Sequence, residues 1–215
     1  SLYDRACTLR RALAVSIGDK NEILDTDRSL LEIAIVRGAW DEADVIGRRL
    51  QADTHNYTNL WRAHLLFYRG GDPHLALEAG FRDAYSRHWM NGQRWLLALA
   101  ARIELTRGNL EAADDALDQT LALARRSGAK EQSRYMALLA ELRLAQGDKN
   151  AARGLIEEAL ALTIIEFDKA AIYNAAALVY HVVGELDSAY EYVRQAYTVA
   201  WADGEPHSQW YELKR

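Results

Sequence analysis

The side chains able to do chemistry are few, and their spacing does not bring them together. Six histidines, His55, His64, His74, His88, His181 and His207, never stand four apart. No helix therefore offers the i, i+4 imidazole pair of a zinc site. The acidic groups Asp41/Glu42/Asp44 and Asp114/Asp115/Asp118 read as solvated helix faces, because Ca²⁺ needs oxygens converging from a turned loop. Cys7 is the one cysteine, with only Arg5 and Arg10 nearby in sequence, and reads as a packed thiol rather than a nucleophile. A phosphate-cradling G-x-x-x-x-G-K-[ST], a strand-flanked G-x-G-x-x-G, H-E-x-x-H, G-x-S-x-G and C-x-x-C are all absent from the sequence. The expectation is a protein that is not an enzyme, with no catalytic residue, cofactor or metal.

Composition narrows the partners. Half of the chain is hydrophobic and 27% is charged, the balance of an ordinary globular protein rather than a disordered or membrane-embedded one. The formal net charge is −5, and basic residues gather on no one stretch, so direct binding to nucleic acid is not expected. No apolar run reaches the ~20 residues that span a bilayer. A single cysteine fits a reducing, cytoplasmic setting.

The elements that must position any site are announced by a repeat. Five times a glycine is followed five residues later by an alanine: Gly38/Ala43, Gly71/Ala76, Gly108/Ala113, Gly147/Ala152 and Gly184/Ala189. The glycines lie 33, 37, 39 and 37 residues apart, a period typical of arrays of one supersecondary unit. On either side of each glycine, apolar residues recur at three- and four-residue steps, as in Tyr135–Leu144 and then Ala151, Ala152, Leu155, Ile156, Ala159 and Leu160. Each glycine ends a helix in a left-handed conformation. Asp148 is placed to cap the next helix, as is Asp72 with Pro73 at the first helical position. Gly38 is followed by Ala39, a poor cap. The alanines are small where helices must cross closely. Only Pro73 and Pro206 interrupt the chain, so the sequence predicts about twelve helices.

These units resemble tetratricopeptide repeats, whose pattern runs W-x₂-L-G-x₂-Y, A-x₃-F and P. The residues carrying the likeness are Tyr173-x₂-Ala176-Ala177-x₂-Tyr180 with Ala189-x₃-Val193 and Ala196. Met136-x₂-Leu139-Ala140-x₂-Arg143 with Ala152-x₃-Ile156 is a second match, and Leu97-x₂-Ala100-Ala101-x₂-Glu104 with Ala113-x₃-Leu117 a third. The closing proline is absent and most spacings exceed 34, so this is a long-period variant. The resemblance implies an all-α, right-handed superhelical solenoid of about six antiparallel helix pairs. It covers residues 1–215 as one domain, expected to be a piece of a longer protein. Residues 3–17 read as the second helix of an earlier pair, and those from Pro206 onward as a terminal first helix or cap.

In such arrays the first helix of each pair lines a concave groove that takes a protein or peptide. Carried over, the groove-facing candidates are Trp61, Leu65, Tyr68, Arg69, Trp95, Arg102, Leu105, Arg134, Glu141, Asn174 and His181. Trp61 and Trp95 are also read as wedges between neighbouring pairs, whereas Arg102, Arg134 and Asn174 are expected to be exposed. A clamp for a peptide's terminal carboxylate is not expected, since Arg28, Glu32 and Arg62 stand where it needs lysines and asparagines. The resemblance implies a binding scaffold. The alternative is a ligand-sensing or autoinhibitory arm of a larger signalling ATPase or transcription regulator, as in bacterial STAND-type proteins, touching other domains of its parent.

Overall fold

Helices end where the chain can reverse its φ. In the computed structural model, which describes residues 2–162, 168–202, 205 and 206, the glycines at 18, 38, 70, 108, 128, 147 and 184 all have φ between +62° and +87°. After each, the next amide reaches back to a carbonyl five residues earlier: Asp148 N to Arg143 O at 2.9 Å and Glu185 N to Tyr180 O at 2.9 Å are examples. That is the Schellman closure, which satisfies carbonyls that the helix end leaves open. The same closure forms at His88, the one non-glycine residue with positive φ (52°) among those described, where Trp89 N meets Ala84 O at 2.9 Å.

One turn differs from the sequence expectation. The left-handed residue of the second glycine pair is Gly70, not Gly71. Gly71 is the following residue, whose N–H closes on Leu66 O at 2.8 Å. The downstream cap shifts with it, because the helix begins at His74, with Pro73 before it, and the Asp72 carboxylate accepts from His74 N at 3.1 Å. Asp148 caps as its sequence suggests, accepting from Ala151 N at 2.9 Å, and Ala39 makes no side-chain cap.

Among the described residues the chain is all-α, apart from one short ribbon, and adjacent helices pack in pairs. It divides into two compact units, Ser1–Gly92 and Gln93–Arg215. The first contains α1 (Leu2–Ile17), α2 (Lys20–Val36), α3 (Trp40–Arg49), α4 (Asn56–Tyr68) and α5 (His74–Ser86). Within it, α2 packs on α1, α3 and α4, and α4 packs on α5. The second unit holds most of α6 (Met90–Arg107), then α7 (Leu110–Ser127), α8 (Gln132–Ala145), α9 (Lys149–Ala161), α10 (Lys169–Val183) and α11 (Leu186–Ala200). There α8 packs on α7, α9 and α10, and α10 packs on α9 and α11. The eleven described helices compare with about twelve expected. Pro206, expected to open a helix, instead pairs with Trp201 in a two-residue antiparallel ribbon, β1 (Trp201–Ala202) with β2 (Glu205–Pro206). The remainder of that expected helix lies outside the described residues.

The recurring alanines sit where helices meet. Ala43, Ala76, Ala113, Ala152 and Ala189 are all buried, as are Ala63, Ala101, Ala140, Ala176 and Ala177 on the preceding helices. Around them in the second unit runs a core of Leu117, Leu121, Tyr135, Leu139, Leu142, Ile156, Ile172 and Val179. Small residues let the helix axes approach and the larger ones fill the space beside them. Cys7 is buried and forms no disulfide. No helix among the described residues is long and apolar enough to cross a membrane.

Candidate partner-binding groove

The first unit carries an open groove of about 610 Å³ where the turn between α2 and α3 meets the end of α4. Its lining is Gly38, Ala39, Trp40, Asp41, Glu42, Tyr68 and Arg69. The turn at Gly38 places Trp40 in the first turn of α3, and the register of α4 places Tyr68 in its last. The two rings stack with centroids 6.0 Å apart and planes 19° from parallel. Arg69 Nη1 reaches Asp44 at 3.0 Å and Asp41 at 3.5 Å. A half-buried aromatic wall with a charged, exposed rim is the composition of a binding hot spot.

Behind Tyr68, α4 carries a ladder of rings on one face. Tyr57 meets Trp61 edge-on at 6.1 Å, Trp61 lies 5.0 Å from His64, and His64 stacks on Tyr68 at 6.1 Å. The spacing 57, 61, 64, 68 is the three- and four-residue step of a single helix stripe. The ladder fixes Tyr68 from within. Trp61 and Leu65 are both 7% exposed, so they are packing residues of this unit. The Trp61 Nε1–H is buried with no hydrogen-bond partner among the described residues. At the far end, the Tyr57 hydroxyl donates to Glu32, whose carboxyl burial pushes up despite that bond.

The start of α4 is anchored by Asp53. Arg28 grips it in a fork, Nε at 2.8 Å and Nη2 at 2.9 Å, while the Thr58 hydroxyl and the His55 N–H also donate to it. Burial alone would raise its pKa, but Arg28, Thr58 and the His55 amide outweigh burial and hold it at about 2. Arg62, half-buried beside this loop, donates to the Leu50 and Asp53 carbonyls, and burial lowers its pKa.

Three candidates of the second unit, Arg102, Glu141 and Arg134, are engaged in ion pairs within it. Arg102 on α6, expected to be exposed, is 8% exposed and forks onto Glu141 of α8, with Nη2 to Oε1 at 2.8 Å. Each residue stands six before its own turn glycine, Gly108 or Gly147, so the pair clasps two helices at equal register. Arg134 Nη1 contacts Asp168 at 3.2 Å, with the Asp168 side chain only 1% exposed. Trp95, Leu105 and Asn174 are half-buried and His181 is exposed.

Sequence reasoning missed Arg94, whose guanidinium is enclosed by Tyr135 Oη at 3.0 Å, Ser127 Oγ at 3.1 Å and Glu131 Oε1 at 3.1 Å. Burial raises the Tyr135 hydroxyl to about 12 against the opposing pull of Arg94. It also missed Trp40, Asp41 and Glu42 as groove residues. Of the sequence candidates, the groove unites Tyr68 and Arg69. Among the described residues no group of three His, Cys, Asp or Glu side chains could hold a metal ion.

No protein-family model matches the chain, nor does any curated protein or solved structure.

Proposed function

We propose that the chain is a protein- or peptide-binding scaffold, a tetratricopeptide-like array whose helix pairs continue as a right-handed solenoid. Three features support the repeat reading: the periodic left-handed turns, the buried alanines, and the packing of α2 on α4 and of α8 on α10, each the first helix of successive pairs. The observation that carries the binding reading is the groove between α3 and α4, with the stacked Trp40 and Tyr68 rings as wall and Asp41, Glu42 and Arg69 as rim. An extended peptide presenting an apolar or aromatic anchor beside a charge matches that lining.

Selection from a randomised peptide library tests it. Enriched peptides are expected to bind at least about 10-fold more weakly to the Trp40→Ala/Tyr68→Ala variant, since buried aromatic anchors dominate such interfaces. Failure to enrich any peptide, or equal binding by the variant, removes the groove from the reading.

A second reading, an arm that senses a ligand or restrains a larger signalling protein, is favoured by the outer side of α1. Leu9, Leu13 and Ile17 there are each more than 60% exposed, an apolar stripe suited to a neighbouring domain. In the parent protein, Leu13→Asp is then expected to raise basal signalling output. A native gene encoding these residues alone rules the reading out.

A further inference from the structure

The last helix of the second unit shows a second stripe, and its pattern is self-complementary. Leu186, Tyr190, Val193 and Tyr197 on α11 are 61%, 72%, 53% and 52% exposed. Their spacing of four, three and four residues is the d-a-d-a seam of a two-heptad helix pair, about 16 Å long at 1.5 Å per residue.

Comparison with α7 and α9 shows what is particular to α11. Counting from the turn glycines 108, 147 and 184, Val193 stands where α7 has Leu117 and α9 has Ile156, both fully buried. Those two helices are covered by α8 and α10 respectively. Tyr190, however, stands where α7 has Asp114 and α9 has Arg153, charged residues engaged in ion pairs. On α11 the apolar face is therefore one residue column wider than on its sister helices.

We infer that α11 pairs antiparallel with α11 of a second copy of this chain, in a two-fold dimer. In that arrangement seam residues whose numbers sum to 383 face each other, Tyr190 against Val193 of the other copy and Leu186 against Tyr197, and flank residues pair between these layers. Each large ring faces a smaller aliphatic side chain. The charges agree. Asp187 and Arg194 lie one heptad apart on one flank of the seam, both exposed. A two-fold axis brings like flanks together, so Asp187 of each copy faces Arg194 of the other and the seam is closed by two symmetric ion pairs. Arg194 now rests on Glu191 of its own helix at 2.8 and 3.0 Å, an exposed pairing that it can exchange at little loss.

The test is sedimentation of the 215-residue chain from about 5 to about 200 µM, the range suited to an interface at the small end of stable ones. A monomer–dimer equilibrium is expected, weakened at least about 10-fold by Val193→Asp. Asp187→Arg and Arg194→Asp each set like charges opposite one another and weaken it about 5-fold, whereas the double exchange restores it to within about 2-fold. Circular dichroism checks that every variant keeps its helices. If Val193→Asp unfolds, the two exposed charge variants decide alone. A monomer at all concentrations, as when another segment or a different partner covers the stripe, overturns the inference. So does a dimer indifferent to the charge variants, or a double exchange as weak as the singles.

Discussion

His88 should be a weak point that a single atom-stripping substitution repairs. Its φ of 52° places an L-residue where Cβ crowds the neighbouring carbonyl, a penalty of about 1–2 kcal/mol. The side chain is exposed, so replacing it removes no packing. Glycine gives back about 0.4–1 kcal/mol through the greater freedom of its unfolded chain. The net expectation for His88→Gly is a gain of about 0.5–1 kcal/mol, or roughly 1–4 °C for a chain of this size.

A matched control isolates the backbone contribution. A Cβ at Gly147 would meet nothing within 4 Å, and φ there is +85°. Gly147→Ala should therefore carry the same strain of about 1–2 kcal/mol, less the entropy that alanine saves in the unfolded chain, for a net loss of about 0.5–1 kcal/mol. Urea denaturation followed by circular dichroism measures both, with each unit probed separately by hydrogen exchange. If His88→Gly is neutral or destabilising while Gly147→Ala loses stability, the left-handed strain at residue 88 does not exist and the reasoning about this turn is wrong.

Two other consequences concern buried charge. Arg102→Met strands Glu141, whose side chain is 13% exposed, and should destabilise the second unit by about 2–3 kcal/mol, with Arg102→Met/Glu141→Leu recovering most of that loss in the same melts. Asp53, held at about 2, is a depressed carboxylate. Its contribution is complete above the ordinary value near 4 and is lost as pH falls toward 2. Asp53→Asn should therefore cost about 1–2 kcal/mol at neutral pH, solvent screening allowed for, and flatten the stability profile between pH 4 and 2 in acid titration.

The helices and most of their ends were legible because a Schellman closure demands a residue tolerant of positive φ, and glycine announces it. Where His88 takes that role the boundary between α5 and α6 carried no such signal. At the Gly70-Gly71 pair the sequence could not say which glycine bends. The alanine columns were equally legible, since helical register alone brings Ala113 and Ala152 to the inner side. Tyr68 and Arg69 could be placed on a helix face by counting, but the groove also needs Trp40, Asp41 and Glu42 from a different helix, and that meeting is decided by packing. The same limit hid Arg94 and the Arg102–Glu141 clasp. Pairs separated by 37 and 39 residues depend on how neighbouring helices lie, which no single helix encodes.

The turn glycines have one more implication, about chirality. At Gly18, Gly70, Gly108, Gly128, Gly147 and Gly184 a side chain in the usual hand would meet empty space yet sit on an unsuitable backbone. A mirror-image alanine has the opposite preference and finds that same φ comfortable. Introduced at one of these six seats by chemical ligation, it would keep the bend and narrow the options of the denatured chain, so the molecule's tightest corners are also its natural points of entry for D-residues.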